Sequence, residues 1–143
     1  MTTPDAPVPT KVGDLSVLFV MATEQEYGAH LRQRITPVIT GVTPVEAAVG
    51  TSMALGELDR AGRRPDLVVS LGAGGSARLD HAGIYQVASV AYRDMDCSPL
   101  GFERGVTPFT DQPAVIAIPD RLPDIPAASI SSGGDIVSGR AYD

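Results

Sequence analysis

A glycine-rich turn is the part of this sequence best suited to chemistry. Residues 71–77 read Leu-Gly-Ala-Gly-Gly-Ser-Ala and directly follow residues 66–70, an apolar run typical of a buried parallel strand. In open α/β sheets, ligands bind outside the carboxyl ends of the strands, and glycine lets the backbone approach them without a Cβ in the way. We therefore expect this turn to contact a ligand.

Carboxylates at strand ends are the second candidate for chemistry. Glu26 follows a nearly continuous apolar run at residues 15–21, whereas Asp94 and Asp96 begin the loop after a later run at residues 84–91. A carboxylate at a strand end can orient or deprotonate a water molecule. The alternatives are a solvated loop for the two aspartates and a helix cap for Glu26. Glu26 lies three residues after Thr23, which is the spacing of a capping box at the start of a helix, and this spacing favours the cap.

Other chemistries have weaker support in the sequence. Residues 72–77 fit the dinucleotide pattern G-x-G-x-x-A, but residues 78–83 are too few for the helix that carries a pyrophosphate, so an NAD-dependent domain is a minor hypothesis. No Walker phosphate loop and no G-x-S-x-G elbow are present. The single Cys97 and the distant His30 and His81 have no metal-ligand spacing. We expect neither a metal nor a cofactor.

Length and composition predict one globular domain. The chain has 143 residues, of which 43% are hydrophobic, and a net charge of −6 with its basic residues scattered, which disfavours nucleic acid as a partner. No apolar stretch approaches the length of a membrane span. Residues 1–12 are rich in Pro and Thr, unlike a secretory signal, and predict a flexible tail. A lone cysteine suits a reducing cytoplasm.

Alternating strands and helices predict an α/β fold with a mixed or mostly parallel central sheet flanked by helices. The clearest helix begins at Thr43, with Pro44 at its first position, and runs to about Arg60. Apolar or small residues at helical spacing predict the side of this helix that faces the core: Val45, Ala48, Val49, Ser52, Met53 and Leu55. Further strands are expected at residues 84–91 and within 129–139, while the short run at 114–118 is ambiguous. The chain stops directly after the last of these strands, so a covering element is expected to be missing.

Five segments, in order, resemble motifs of the 5′-methylthioadenosine/S-adenosylhomocysteine nucleosidases, which belong to the purine nucleoside phosphorylase superfamily. They are residues 22–26, 40–48, 65–69 with the glycine turn, 92–103 and 136–142. Residues 92–96 read Tyr-Arg-Asp-Met-Asp and resemble the family's Tyr-His-Asp-Ala-Asp. Residues 136–142 read Ile-Val-Ser-Gly-Arg-Ala-Tyr and resemble its Ile-Val-Ser-Gly-Asp-Ala-Phe.

The resemblance implies a nucleoside phosphorylase-like fold and hydrolysis of the bond between adenine N9 and ribose C1′ in a 5′-thio-substituted adenosine. In that interpretation Glu26 activates the attacking water, and Tyr142 stacks on the adenine. The substrate-binding positions that it implies are Val42, Ala73, Gly74, Gly75, Cys97, Tyr142 and Asp143. It also implies a homodimer in which residues 100–113 of one subunit close the alkylthio pocket of the other.

The sequence departs from the family pattern at several points. Ala73 replaces a serine, Arg93 replaces a histidine, and the segment 34–40 is short. The family's residues for holding the ribose and protonating the purine lie beyond the equivalent of Asp143. Residues 13–143 are therefore expected to be a nucleosidase-like domain without its C-terminal part, slow or inactive alone and active in a longer parent. The alternatives are a non-catalytic adenosine-binding module, or a phosphorylase or futalosine hydrolase of the same superfamily.

Overall fold

The computed structural model describes residues 6–119 and 121–139, which form a mixed α/β structure with two mixed sheets and few helices. The chain divides into two compact units, Met1–Gly74 and Gly75–Asp143, where length alone predicted one domain. The division follows from strand pairing, because the described strands of each unit pair only within that unit. The boundary falls inside the glycine-rich turn.

The first unit is built around one strand, β2 (Leu15–Met21). It pairs antiparallel with β1 (Thr10–Val12) and parallel with both β3 (Val38–Ile39) and β4 (Leu67–Leu71). Four residues of β2 are buried: Val17, Leu18, Val20 and Met21. The predicted strand at 15–21 is thus confirmed, and β4 lies one residue later than predicted. Because β2, β3 and β4 are parallel, their carboxyl ends lie at one edge of the sheet.

The tail predicted for residues 1–12 is wrong at its last three residues. Thr10–Val12 form β1, which returns along β2 through a turn at Gly13. Gly13 has a φ of +57°, a left-handed conformation that costs glycine little. This turn allows a polar, Pro-rich segment to end in an edge strand.

The long helix is confirmed with the predicted bounds, α2 (Pro44–Arg60), but the prediction of its buried side is wrong except at Leu55, which is partly buried and packs against the core cluster. Ala54 and Leu58 are the buried residues and pack in one cluster with Leu18 of β2. Val45, Val49 and Met53 are instead 70%, 54% and 61% exposed. Both sides of the helix are apolar, so periodicity alone could not show which side meets the sheet.

The helix predicted to start at Thr23 does not form there. The Glu26 N–H donates to the Thr23 carbonyl at 3.3 Å and closes a turn, and a single helical turn, α1 (Ala29–Arg32), follows Gly28. The Thr23–Glu26 capping box is therefore absent from this part of the structure.

The second unit is built around β5 (Gln86–Tyr92), which pairs antiparallel with β6 (Val115–Ala117) and parallel with β7 (Ala127–Ser132). The ambiguous run at 114–118 is thus a strand, and the last strand lies earlier than predicted. A short 3₁₀ helix, Ser98–Leu100, lies in the loop after β5. No helix of the described residues is long and apolar enough to cross a membrane.

The side of α2 that meets the sheet can be tested by truncating one residue on each side. We expect Leu58→Ala, which removes a fully buried side chain, to lower the free energy of unfolding by about 2–5 kcal/mol. Met53→Ala, on the exposed side, is expected to change it by about 0.5 kcal/mol or less. Urea unfolding of dilute protein, followed by circular dichroism, measures both. Equal losses for the two variants would contradict the observed packing.

Candidate functional site

Three segments of the first unit leave its sheet at the edge where the parallel strands end. The Thr40 N–H donates to the Met21 carbonyl at 2.9 Å, and the Gly41 N–H donates to the Ala22 carbonyl at 3.1 Å. The segment after β3 is thereby joined to the segment after β2. The glycine turn continues from β4 at the same edge, which is where ligands bind in open parallel sheets.

Glu26 lies against the glycine turn. Its Oε1 accepts a hydrogen bond from the Ala73 N–H at 2.8 Å. A Cβ on Gly72 would lie 3.5 Å from Oε1 and 3.6 Å from Oε2, so the carboxylate packs closely on the backbone there. The carboxylate therefore holds the turn, instead of capping a helix at Thr23.

The second carboxylate oxygen, Oε2 of Glu26, is buried and has no hydrogen-bond partner among the described residues. A buried polar atom without a partner costs about 1–3 kcal/mol, and such atoms are uncommon in native structures. A carboxylate oxygen accepts hydrogen bonds, so a water molecule or a substrate hydroxyl would satisfy it. One oxygen fixed by the backbone and one open to a ligand is an arrangement suited to general-base catalysis.

Two further predicted residues of the first unit lie near this edge. Val42 is 74% exposed and follows Gly41, whose φ is +101° and whose missing Cβ would lie 2.7 Å from the Cβ of Glu46. Gly41 therefore needs to be glycine for the chain to pass from β3 into α2. At Gly74 a Cβ would meet nothing within 4 Å, so open space lies on that side of the turn.

The remaining predicted residues belong to the second unit. Gly75 is its first residue, and Cys97 is half-buried with its Sγ 4.0 Å from the Sδ of Met95. In the loop at 100–113, the rings of Phe102 and Phe109 make an edge-to-face contact with centroids 5.4 Å apart. Tyr142 and Asp143 lie outside the described residues.

Asp94 and its neighbour tie the end of β5 to the loop after β7. The Oδ2 of Asp94 accepts a hydrogen bond from the Gly134 N–H at 2.7 Å, and Arg93 forms an ion pair of 2.5 Å with Asp135. A Cβ on Gly133 would lie 2.8 Å from the Arg93 guanidinium, so the side chains of Arg93 and Asp94 lie close against this glycine. These contacts are ones that hold loops together.

The hydrogen bonds of Asp94 and Asp96 also make them weak bases. The Gly134 N–H lowers the pKa of Asp94, and hydrogen bonds from the hydroxyl and backbone of Ser98 lower the pKa of Asp96. A base works best when its pKa lies near the operating pH, so lowered values disfavour proton abstraction by either aspartate. In the described residues no group of three or more His, Cys, Asp or Glu side chains could hold a metal ion.

The donor to Glu26 was not visible in the sequence. Ala73 is predicted from the sequence to contact the substrate, and the structure shows that its N–H also donates to the Glu26 carboxylate, 47 residues away in the chain. Every residue except proline carries a backbone N–H, so no residue type marks such a donor. Only the pairing of β2 with β4 reveals it.

The lowered pKa of Asp94 predicts a pH dependence of stability. Its ordinary value is 3.8 and the folded value lies below that, so the carboxylate's contribution is fully present above pH 3.8 and is lost as the pH falls through the folded pKa. Below pH 3.8 the free energy of unfolding of the wild type should fall more steeply than that of Asp94→Asn. The difference between the two free energies should therefore narrow as the pH falls. Urea unfolding across an acidic pH series measures this. Asp111→Asn, at an exposed carboxylate, serves as the control, and parallel pH profiles for wild type and Asp94→Asn would refute the prediction.

A scan of the chain against protein-family models finds no matching family, and a search among curated proteins finds no match. The family resemblance of the five sequence segments is therefore an expectation. The geometry around Glu26 is the direct structural support for a function.

Proposed function

We propose that this chain is the part of an N-glycosyl hydrolase of the 5′-methylthioadenosine/S-adenosylhomocysteine nucleosidase type that carries the catalytic base, with a nucleoside phosphorylase-like fold. The observation that carries the proposal is the Glu26 carboxylate, held on one oxygen by the Ala73 N–H and buried without a partner on the other. The substrate is a 5′-thio-substituted adenosine, and the products are adenine and the thioribose. The segments that resemble the family supply the substrate class, and the carboxylate supplies the chemistry.

In the proposed reaction, Oε2 of Glu26 accepts a proton from a water molecule as the water oxygen bonds to ribose C1′. The bond from C1′ to N9 breaks, and its electron pair leaves with the adenine, which takes up a proton from solvent. Glu26 then returns the proton of the attacking water to solvent. A sugar ring with oxocarbenium character carries positive charge in the transition state, so a nearby negative carboxylate also stabilises it. Glu26 thus serves as base and as counter-charge.

The Ala73 N–H orients the base. This donor is part of the main chain, so no side-chain rotamer has to be fixed for it to hold Oε1. The Glu26 carboxylate is thereby preorganised, and a preorganised group loses less free energy on reaching the reactive geometry. The family's serine is alanine here, but a backbone N–H is present with either residue. The substitution therefore leaves this contact to Glu26 in place.

The neighbouring residues provide room and apolar contact. The open space beside Gly74 would let the ribose and base lie against the backbone of the turn. Val42, exposed beyond β3, would offer an apolar side chain to the thio substituent. Each of these roles is part of the proposal.

Two arginines of the first unit are engaged by other groups, and this supports water over phosphate as the nucleophile. A phosphate nucleophile needs cations close by, and the Glu26 carboxylate would repel a phosphate placed beside it. Arg32 is held by Glu24 in an ion pair of 2.6 Å, and Arg34 donates to the His30 carbonyl at 2.7 Å. Hydrolysis therefore fits this edge better than phosphorolysis does.

Replacing the base tests the proposal. Glu26→Gln keeps an oxygen for the Ala73 N–H but cannot take a proton, so we expect kcat for adenine release from 5′-methylthioadenosine to fall by about 10²–10⁴-fold. Glu24→Gln, an exposed glutamate two residues away, should change kcat by less than about threefold.

The assay is run with this chain and with the longest chain that its gene encodes, each as wild type and as both variants. Adenine release that Glu26→Gln leaves unchanged would refute the role of Glu26. Adenosine binding without release by either wild-type chain would favour the non-catalytic binding module instead.

A further inference from the structure

An open cleft of about 400 Å³ lies in the first unit, at the edge of the sheet where the parallel strands begin. Three of the residues that line it are cations: Lys11 of β1, and Arg63 and Arg64, which follow α2. Its other polar lining residues are Ser16 of β2 and Asp66, directly before β4. We call these five residues the basic cleft.

Strand register and the end of α2 bring the three cations together. Ser16 alternates with Leu18, which packs on α2, so the Ser16 side chain lies on the α2 side of the sheet. Lys11 lies directly opposite Ser16 in the antiparallel pairing of β1 with β2, and paired residues share a face. The segment that continues from α2 toward β4 carries Arg63 and Arg64 to the same cleft.

The base of the basic cleft is fixed by a double contact between two strand starts. The Asp66 N–H donates to the Ser16 carbonyl at 2.8 Å, and Oδ2 of Asp66 accepts a hydrogen bond from the Ser16 N–H at 2.7 Å. The Ser16 side chain is half-buried, and within residues 6–119 and 121–139 its hydroxyl makes no hydrogen bond. That hydroxyl is therefore free to donate to a ligand.

The cations of the basic cleft are not neutralised by their neighbours. Among the residues that the structure describes, the side chains of Lys11, Arg63 and Arg64 make no ion pair and no hydrogen bond. Arginines after a helix can complement the negative end of its dipole, but Lys11 belongs to a strand and lies outside that explanation. With the Asp66 carboxylate included, the lining carries a net charge of +2 in a chain whose net charge is −6. A cleft lined by one sign of charge focuses its field on a ligand of the other sign.

A second cleft, of about 390 Å³, shares Arg64 and Asp66 with the basic cleft. Its apolar lining residues are Leu55, Pro65, Leu67 and Val68. Asp59 adds a second carboxylate there, so an anionic group belongs among the cations of the basic cleft. Ligand sites commonly combine apolar surface with a few polar groups that fix the orientation of the ligand. The two clefts together suit a molecule with an anionic end and an apolar or aromatic body.

We propose that the basic cleft binds the phosphate of a small organic phosphate monoester, whose body lies in the neighbouring apolar cleft. Each arginine can donate two parallel hydrogen bonds to phosphate oxygens, and the Lys11 ammonium and the Ser16 hydroxyl can donate to the others. A phosphate monoester carries a charge of about −1.5 to −2 at neutral pH, which the net charge of the lining matches.

This site is separate from the candidate base. The basic cleft lies where β2 begins and Glu26 lies beyond its other end, and a strand of seven residues is about 23 Å long. Phosphate binding there therefore does not depend on the proposed nucleosidase activity, and a binding measurement tests it without adenine release.

NMR titration of the isotope-labelled 143-residue chain with inorganic phosphate, phenyl phosphate and phenol tests the proposal, at neutral pH and constant ionic strength. Both phosphates should give saturable shifts of the amide signals of residues 8–16 and 63–68. Phenyl phosphate should bind about tenfold more tightly than inorganic phosphate, because part of its ring leaves water. Phenol, which lacks the charge, should bind at least about tenfold more weakly than phenyl phosphate. Shifts confined to the segments around Glu26, no saturable shifts, or equal binding of phenol and phenyl phosphate would overturn the proposal.

Charge removal at single positions tests which residues hold the phosphate. Lys11→Gln, Arg63→Gln and Arg64→Gln should each raise the Kd for phenyl phosphate by about 5–20-fold, because each removes a charged hydrogen-bond donor. Arg104→Gln removes the same charge from an exposed side chain of the second unit and should change the Kd by less than about twofold. Circular dichroism confirms that each variant is folded. A Kd that Arg63→Gln and Arg64→Gln leave unchanged, or that Arg104→Gln raises equally, would overturn the assignment.

Discussion

The parallel pairing of β2 with β4 is the constraint on which the first unit depends. Five consecutive residue pairs, from Val17 with Leu67 to Met21 with Leu71, set the register of the two strands. Val17 and Met21 are buried on one face of β2, and Leu18 and Val20 are buried on the other, so this strand lies in the core of the first unit. This register brings Glu26, five residues past β2, to the N–H of Ala73, two residues past β4. The geometry of the candidate base thus follows from strand pairing between segments that are distant in sequence.

The sequence was informative about elements whose signals are local. The apolar run at 15–21 predicted β2, and the Thr43-Pro44 start predicted α2. Features that depend on distant segments were mispredicted. The buried side of α2 depends on which of two apolar sides meets Leu18, and β1 depends on a turn at Gly13 that a polar composition did not reveal. The division into two compact units also depends on strand pairing, which no local pattern in the sequence shows.

The candidate site was predictable in its residue types and less so in its contacts. Glu26 and the glycine turn were both singled out from the sequence, and the structure brings them together. The free oxygen on Glu26 and the donor on Ala73 were not predictable, because one is a matter of burial and the other is a backbone group. Asp94 and Asp96 were also candidates from the sequence, but their contacts disfavour a catalytic role. Their carboxylates accept hydrogen bonds from the N–H groups of Gly134 and Ser98.

The short strand β1 has a consequence for how this protein can be handled. On one side of β2, β3 pairs only with Val20 and Met21, and β1 pairs with the stretch from Leu15 to Val17. Without β1, the unpaired backbone of an apolar strand would be open to another chain, and such edges promote aggregation. Trimming the N-terminus as far as Val12 would therefore remove the cover from the most apolar strand of the sheet and favour fibrillar or amorphous precipitates. The Pro-rich start of the chain, which composition alone marks as dispensable, ends in the segment that protects β2.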